Sequence, residues 1–246
     1  MSGVKGCQVR IAVDGLDLST QSTAATLNFN VTAVDYNTFQ VCSTQRFPIL
    51  SDGVLDHTGL FTAPDPGYLE REMQSRLGSD TDSIVSLILG TSLPIPVAYS
   101  LKAAWNAQLK LEAPITQLIT AQGKWLLRNV EMYRLYQAYY GPASATGGLA
   151  YIDVGSFSGK NGKLILHVLG ITGTATNASV IIETSNATNF SSPTTLGTFT
   201  FSAVGAQSAV FTNKSGRYIR ANVSSLGGAT ALSLLALAGV QTVTYS

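Results

Sequence analysis

Short runs of alternating polar and apolar residues, separated by Gly, Pro, Asn or Asp, recur along nearly the whole chain. The first run, Gln8–Asp14, is followed by turn residues at Gly15–Asp17, and the second is Thr26–Val34. Alternation with a period of two, in residues that are often β-branched or aromatic, indicates strands with one buried face. The sequence therefore predicts a mainly-β fold. The other predicted strands are Leu55–Phe61, Ser83–Leu89, Val97–Ala104, Ala107–Leu111, Lys124–Tyr133, Ala150–Val154, Lys163–Leu169, Ala178–Thr184, Gly197–Phe201, Gln207–Phe211, Gly216–Val223 and Ala231–Val240.

One segment, Pro66–Gly78, has the pattern of a short helix. Asp65 is a candidate N-cap, Pro66 suits the first helical position, and Gly78 is a natural terminator. Apolar residues recur on one helical stripe up to Leu77. We expect this single helix to pack on a sheet.

A change in composition divides the chain. Small residues and turn formers at Gly141–Leu149 suit a linker, and we predict a domain boundary there, with domains at residues 1–145 and 146–246. Residues 1–148 carry ten basic and twelve acidic side chains, whereas residues 149–246 carry five and two. Closely spaced strands in the second part predict a small β-sandwich, either a jelly roll or immunoglobulin-like.

The charge of the chain excludes several classes of function. Among 246 residues, 15 are basic and 14 acidic, a net charge of +1. A strongly basic nucleic-acid binder or a polybasic membrane anchor needs far more cations. The most apolar window, Ala231–Val240, is about half as long as a membrane span requires, and Met1–Cys7 lacks the pattern of a secretory signal. We expect no membrane insertion, and synthesis in the cytoplasm.

Residues for catalysis or metal binding are sparse. The two histidines, His57 and His167, and the two cysteines, Cys7 and Cys42, give no recognisable zinc spacing. No nucleophile motif stands beside either histidine. Gly155–Gly162 resembles a phosphate-binding loop only in composition, and a hairpin turn is the better prediction. The sequence predicts no enzyme, no cofactor and no metal.

Residues 9–35 resemble the opening of the major tail tube proteins of tailed bacteriophages, in which a first strand ends in a Gly-x-Asp-Leu-Ser turn. The strand Leu55–Phe61 and the helix ending at Leu77–Gly78 are similar to later elements of that family, so the resemblance covers about residues 9–135. Residues 149–246 are similar to an accessory β-sandwich of phage structural proteins. The resemblance implies a tail-tube-type β-sandwich or barrel with one short helix, followed by a small outer sandwich that decorates the tube.

The same resemblance implies a function and a set of partners. Six copies would join their sheets edge to edge into a ring, and stacked rings would form the conduit through which DNA passes during ejection. The implied partners are further copies of this chain, the tape-measure protein, transiting DNA, the tail terminator and the distal tail proteins. The implied location is the phage tail of the virion, assembled in the cytoplasm of the bacterial host.

A long loop is predicted at Tyr36–Val54, too apolar for an excursion into solvent. We expect it to contact a neighbouring subunit in the next ring. Its apolar residues are Phe39, Val41, Phe47, Ile49 and Leu50. The slight acidity of the first part would let an inner wall repel DNA, and Asp52 and Asp56 are the candidate lumen-facing residues.

Two other classes of function stay open. One is a different phage structural role, such as head decoration or a tail hub. The other is a carbohydrate-binding module or a glycan-active enzyme, for which Tyr151, Phe157 and Tyr218 are the candidate aromatic residues. The Ser/Thr/Asn-rich strands of the second domain would either make weak contacts with cell-surface glycans or only keep the surface soluble.

Overall fold

The computed structural model describes residues 8–36, 45–60, 74–79, 81–112, 119–127 and 132–240, with side chains described outside residues 29–36, 45–52, 103 and 105. Nearly all of these residues lie in antiparallel strands, which confirms the mainly-β prediction. The strands are β1 (Val9–Val13), β2 (Leu16–Asp17), β3 (Ser22–Tyr36), β4 (Gln45–Leu60), β5 (Ser83–Leu89), β6 (Val97–Glu112), β7 (Thr120–Leu127), β8 (Met132–Ala143), β9 (Gly147–Gly173), β10 (Ala178–Ser185), β11 (Thr194–Phe201), β12 (Gly205–Ser225) and β13 (Ala229–Gly239).

Several predicted strands prove to be halves of longer ones. The two predicted pieces inside each of β6, β9 and β12 are continuous in the structure. Gly155, Gly159 and Asn213 have positive φ angles, and β9 and β12 pair with shifts of register around them. These residues are therefore irregularities within a ladder rather than ends of strands. The hairpin turn predicted at Gly155–Gly162 is wrong for the same reason.

The predicted helix is only partly within the described residues. Residues 74–76 are helical, and residues 66–73 lie outside the described part. Gly78 has a φ of 67° and its amide donates to the Asn106 carbonyl, which ends the helix at the predicted glycine. Leu77 forms an isolated bridge with Asn106.

The loop predicted at Tyr36–Val54 is wrong for residues 45–54. They belong to β4, which pairs with β3 from Tyr36–Gln45 back to Ser22–Gly59. Register shifts at Ser22/Ala24 and at Thr32/Ala33 interrupt this long hairpin. Residues 37–44 lie outside the described part. The apolar character of this stretch therefore belongs largely to a strand.

Backbone contacts divide the chain into two compact units. Unit 1 comprises residues 1–20, 84–100 and 133–243, and unit 2 comprises residues 21–83, 101–132 and 244–246. Three residues, 144–146, separate β8 from β9, and β13 pairs with both of these strands. The predicted domain boundary at 145/146 means that residues 1–145 and 146–246 each fold independently, and it stays a prediction.

Unit 1 contains a sandwich built from two very long strands. The second half of β9 pairs with β13 and with the first half of β12, while the first half of β9 pairs with the second half of β12. That second half of β12 also pairs with β10, and β10 pairs with the edge strand β11. A Cβ on Gly197 of β11 would come within 2.7 Å of Leu164 in β9, so the two layers face each other. The same two strands thus pass from one layer to the other.

The layer of unit 1 that contains the second half of β9 is covered on both faces. Leu164, Leu166 and Val168 of β9 belong to the core of the sandwich, whereas Ile165 packs in a second core with Ala12, Ile88 and Leu135 among others. Strands buried on both faces read as continuous apolar runs. This explains why Lys163–Leu169 and Ala231–Val240 alternate so weakly.

Unit 2 is a sheet in the order β3, β4, β7 and the later part of β6. One face is buried and includes Leu55, His57, Ala121 and Trp125. Alternation along β4 places Asp56 on the exposed face.

Candidate functional site

Strand β3 presents a long sheet edge. Over residues 23–36, and within the part of the chain that the structure describes, β3 hydrogen-bonds only to β4. Its 15 residues include no Pro, Lys or Arg, and Asp35 is their one charged residue. Natural proteins usually protect edge strands with charges, Pro or bulges because a bare edge recruits another strand. The protection of this β3 edge is limited to Asp35 and to the register shifts at Ser22/Ala24 and Thr32/Ala33.

The β3–β4 hairpin continues beyond the rest of its sheet. Within the described residues, β4 pairs with β7 from Val54 to Leu60, and residues 45–53 pair with β3 alone, as a two-stranded ribbon in that part of the chain. A two-stranded ribbon is at best marginally stable in water. We expect it to be covered in a functional assembly.

Of the predicted site residues, two lie outside the described residues, four lie on the ribbon, and Asp56 lies where β4 pairs with β7. Phe39 and Val41 lie outside the described residues. Phe47 pairs in register with Val34 on the ribbon. The remaining ribbon positions are Ile49 at the bulge, Leu50 opposite Thr32, and Asp52 opposite Asn30.

Asp56 is the candidate lumen residue whose side chain is described. It is exposed, lies opposite Lys124 in the β4–β7 ladder, and borders a shallow groove of about 140 Å³. The groove is otherwise lined by His57, Thr58, Gln108, Gln122, Gly123 and Lys124. Opposite charges on directly paired residues stabilise a sheet modestly. The face is therefore mixed in charge rather than uniformly acidic.

In unit 1, a cluster of side chains spans β10 and β12 and extends to Phe190, in the segment between β10 and β11. Glu183 is buried and accepts hydrogen bonds from Arg220 Nε (2.6 Å) and from Asn222 Nδ2 (3.3 Å). The Arg220 guanidinium lies 4.0 Å from the centroid of the Phe190 ring. Phe190 has a φ of 50°, which is rare for an aromatic residue. Sequence reasoning missed this residue, because no local pattern marks a strained aromatic.

The three aromatic candidates for carbohydrate binding do not form one platform. Tyr151 and Tyr218 meet edge to face, with centroids 5.4 Å apart, while Phe157 lines a separate cleft. Arg217 forms a two-pronged ion pair with Asp153 and holds the pKa of that carboxyl below its ordinary value through these hydrogen bonds.

Among the described residues, no group of three or more His, Cys, Asp or Glu side chains is placed to hold a metal ion. Nor does any helix in that part of the chain have the length and apolarity to cross a membrane.

His167 belongs to a buried hydrogen-bonded chain. The Gly15 amide donates to Nδ1 (3.3 Å), so we assign the ring proton to Nε2, which lies 2.9 Å from Ser86 Oγ. Ser86 in turn lies 2.8 Å from Ser100 Oγ. Burial lowers the pKa of His167 to about 3. The histidine therefore stays neutral and links four strand regions of unit 1.

His57 is the corresponding buried histidine of unit 2. Its Nε2 lies 2.6 Å from Ser22 Oγ, and its Nδ1 is buried with no hydrogen-bond partner among the described residues. Burial lowers the pKa of His57 to about 4.

These histidines predict acid sensitivity. Both folded-state pKa values lie below the unfolded value of about 6.5, so the unfolded chain binds more protons between them, and stability falls as the pH drops below about 6.5. Between pH 7 and pH 5 we expect each histidine to lower the free energy of unfolding by about 2 kcal/mol. Denaturant titrations across this range measure the effect, and His57→Gln should remove the share due to His57. A free energy of unfolding independent of pH from 7 to 5 would contradict the prediction.

No protein family and no curated protein matches the chain. The solved structures to which it is similar include a sheath/tube terminator of an extracellular contractile injection system, with 10% identity over 54% of this chain and 97% of that one, and a TM-score of 0.44. The tube-terminating cap of the anti-feeding prophage has 11% identity, 54% and 91% coverage, and a TM-score of 0.43. The Dit protein of SPP1, a hub protein of phages that infect Gram-positive hosts, has 9% identity, 94% and 99% coverage, and a TM-score of 0.34. At these TM-scores the similarities assign the chain to no family.

Proposed function

We propose that this protein is a structural subunit of a phage tail, and that copies of it join edge to edge into rings that stack into a tube. The observation that carries the proposal is the outer edge of β3, which has no strand partner over residues 23–36 in the described part of the chain. Main-chain hydrogen bonds from a neighbouring strand would satisfy that edge and supply association energy. It is a role for an assembling protein, not for an enzyme.

Closure of the ring depends on the rotation between neighbouring copies. The free edge of one copy pairs with a different edge of the next copy, which is a heterologous contact. Such contacts form a ring when the rotation closes and a filament when it does not. Six copies per ring is the stoichiometry that the sequence resemblance implies.

The ribbon of β3 and β4 supplies the stacking contact in this proposal. It extends beyond the β7 pairing and is rich in apolar residues, including Phe47, Ile49 and Leu50. Burial of a large apolar side chain contributes about 1.5–3 kcal/mol. Together with Phe39 and Val41, these residues would contact a subunit of the adjacent ring.

Asp52 and Asp56 would face the lumen, through which DNA and the tape-measure protein pass. Asp56 is exposed and is accompanied by Gln108 and Gln122 at the same groove. Acidic and amide side chains offer no cation to DNA phosphates, so a passing duplex would not adhere to them. Lys124, across the ladder from Asp56, limits the acidity of this wall.

Electron microscopy of the concentrated full chain tests the proposal. We expect six-fold rings and short tubes, with light scattering reporting a concentration-dependent rise in mass. A protein that stays monomeric at high concentration would contradict tube formation and favour the head-decoration or hub roles.

The ribbon predicts a specific assembly defect. Phe47→Asp should reduce tube length at least about tenfold, because a carboxylate cannot be buried in an apolar contact without a large desolvation penalty. Val210→Asp is the matched control, since Val210 is exposed on β12 and outside the ribbon. Negative-stain images measure tube length, and circular dichroism checks that each monomer is folded. Equal loss in both variants, or loss of folding in Phe47→Asp, would remove the ribbon from the stacking contact.

A further inference from the structure

A cleft in unit 1 is lined by two cations and, among the described residues, by no acid. Its volume is about 390 Å³, and it lies between β8, the middle of β9 and the end of β13. It is lined by Arg134, Tyr136, Val154, Ser156, Phe157, Ser158, Lys160 and Val240. This volume falls within the range of small-molecule sites, about 300–1,000 Å³.

The two cations of the cleft have no carboxylate partner within the described residues. Arg134 donates to the Tyr136 hydroxyl (3.0 Å), and its guanidinium carbon lies 5.2 Å from the centroid of that ring. This contact orients the guanidinium without neutralising it. Asp153, the nearest acid along β9, alternates to the opposite face from Val154 and is occupied by Arg217.

A third cation adds to the positive potential. Lys214 of β12 lies directly opposite Lys160 of β9 in the backbone register. Like charges on directly paired residues destabilise a sheet. Elsewhere on these strands, charged residues are matched with opposite charges: Arg217 pairs with Asp153, and Arg220 pairs with Glu183. The described residues therefore place three cations at or beside this cleft, a surface of positive potential to which an anion would be attracted.

The rest of the lining indicates what carries that anion. Phe157 and Tyr136 are partly buried against the core of the sandwich and present fixed aromatic surface. Ser156 and Ser158 are exposed hydroxyls that line the same cleft. Aromatic surface, hydroxyls and cations together suit a sugar ring that bears a negative group.

We propose that this cleft binds a saccharide carrying a phosphate or carboxylate group, with Arg134 and Lys160 on the anionic group and Phe157 and Tyr136 against the ring. The site goes beyond the tube proposal and does not depend on ring assembly. It would let an assembled tail hold anionic glycans through many weak contacts.

The test compares three probes on the full chain by titration calorimetry: glucose 6-phosphate, glucose and inorganic phosphate. We expect saturable binding of glucose 6-phosphate, at least about tenfold tighter than either of the others, because only it engages both the cations and the aromatic surface. Glucuronate serves as the carboxylated probe. Absence of saturable binding by both anionic sugars overturns the proposal.

Variants locate the site. Arg134→Gln and Lys160→Gln should each weaken glucose 6-phosphate binding about tenfold, whereas Lys110→Gln, which removes an exposed lysine that does not line the cleft, should leave it unchanged. Thermal melting confirms that each variant is folded. Equal weakening by Lys110→Gln, or displacement of the sugar by inorganic phosphate at equal concentration, would mean a general charge effect only. Tighter competition by a duplex oligonucleotide would reassign the cleft to nucleic-acid phosphates and overturn the saccharide assignment.

Discussion

Replacement of Thr26 and Asn28 by lysine is expected to abolish ring formation while leaving the monomer folded. Both side chains are exposed on β3, the strand whose outer edge is free in the described part of the chain. Edge pairing would bring a neighbouring strand to about 4.8 Å from β3, so two added ammonium groups per copy would lie against it. Lysines on edge strands are the device by which natural proteins prevent such pairing.

The size of the effect follows from repetition around the ring. Every contact in a closed ring carries the same two lysines, so a penalty of about 1 kcal/mol at each contact is multiplied by the number of subunits. We expect the ringed fraction in micrographs to fall by far more than tenfold. Because the substituted side chains are exposed in the monomer, its melting temperature should change little.

A second edge provides the matched control. β11 also ends its sheet, and Thr198 and Thr200 are exposed on it. Thr198→Lys with Thr200→Lys adds the same charge to an edge strand of unit 1, and it should leave ring formation intact. If the β11 variant blocks rings and the β3 variant does not, the assembly edge is β11 and the role given to β3 is wrong.

Replacement of Gly15 by alanine is expected to destabilise unit 1 by about 3–5 kcal/mol. Gly15 has a φ of 87°, and a Cβ there would lie 2.5 Å from the Gly205 nitrogen and 2.5 Å from the Val168 carbonyl oxygen. Both neighbours are backbone atoms of paired strands, which cannot move without breaking ladder hydrogen bonds. The shift would also pull the Gly15 amide from His167 Nδ1.

The variant Gly155→Ala separates the two causes of that loss, the positive φ angle and the close approach of other backbone atoms. Gly155 also has a positive φ, 79°, but a Cβ there meets no atom within 4 Å. It should lose only the conformational penalty, about 1–2 kcal/mol. Urea unfolding of both variants measures the difference, and similar losses would show that the close approach at Gly15 contributes nothing.

Much of the strand content could be predicted from local pattern. The predicted strand Ser83–Leu89 has the bounds of β5, whereas the turn after β1 falls at Asp14–Gly15 and two residues of the turn predicted at Gly15–Asp17 form β2. The errors occur where a turn-forming residue lies inside a ladder, as at Gly155 and Asn213. Local pattern cannot distinguish a bulge from a turn, because the difference depends on whether a partner strand continues alongside.

The candidate surfaces were less accessible to sequence reasoning. The sequence predicts Asp56 as a lumen-facing residue and Phe47–Leu50 as part of an apolar contact, and both roles stay predictions; the loop predicted around Phe47–Leu50 is instead strand β4 over residues 45–54. The cationic cleft could not be predicted from the sequence, since Arg134, Lys160 and Lys214 are far apart in the sequence and come together only through the pairing of β9 with β12 and the position of β8.

The sequence by itself determined that the chain folds almost entirely into antiparallel strands, because side-chain alternation and turn residues act over a few neighbouring residues. It also determined which functions its low charge excludes. Only the tertiary structure decided which strand keeps an unpaired outer edge among the described residues, which strands pass between layers, and which cations meet there without an acid. Those features depend on register between distant segments, and register is set by burial across the whole unit rather than by any local run of residues.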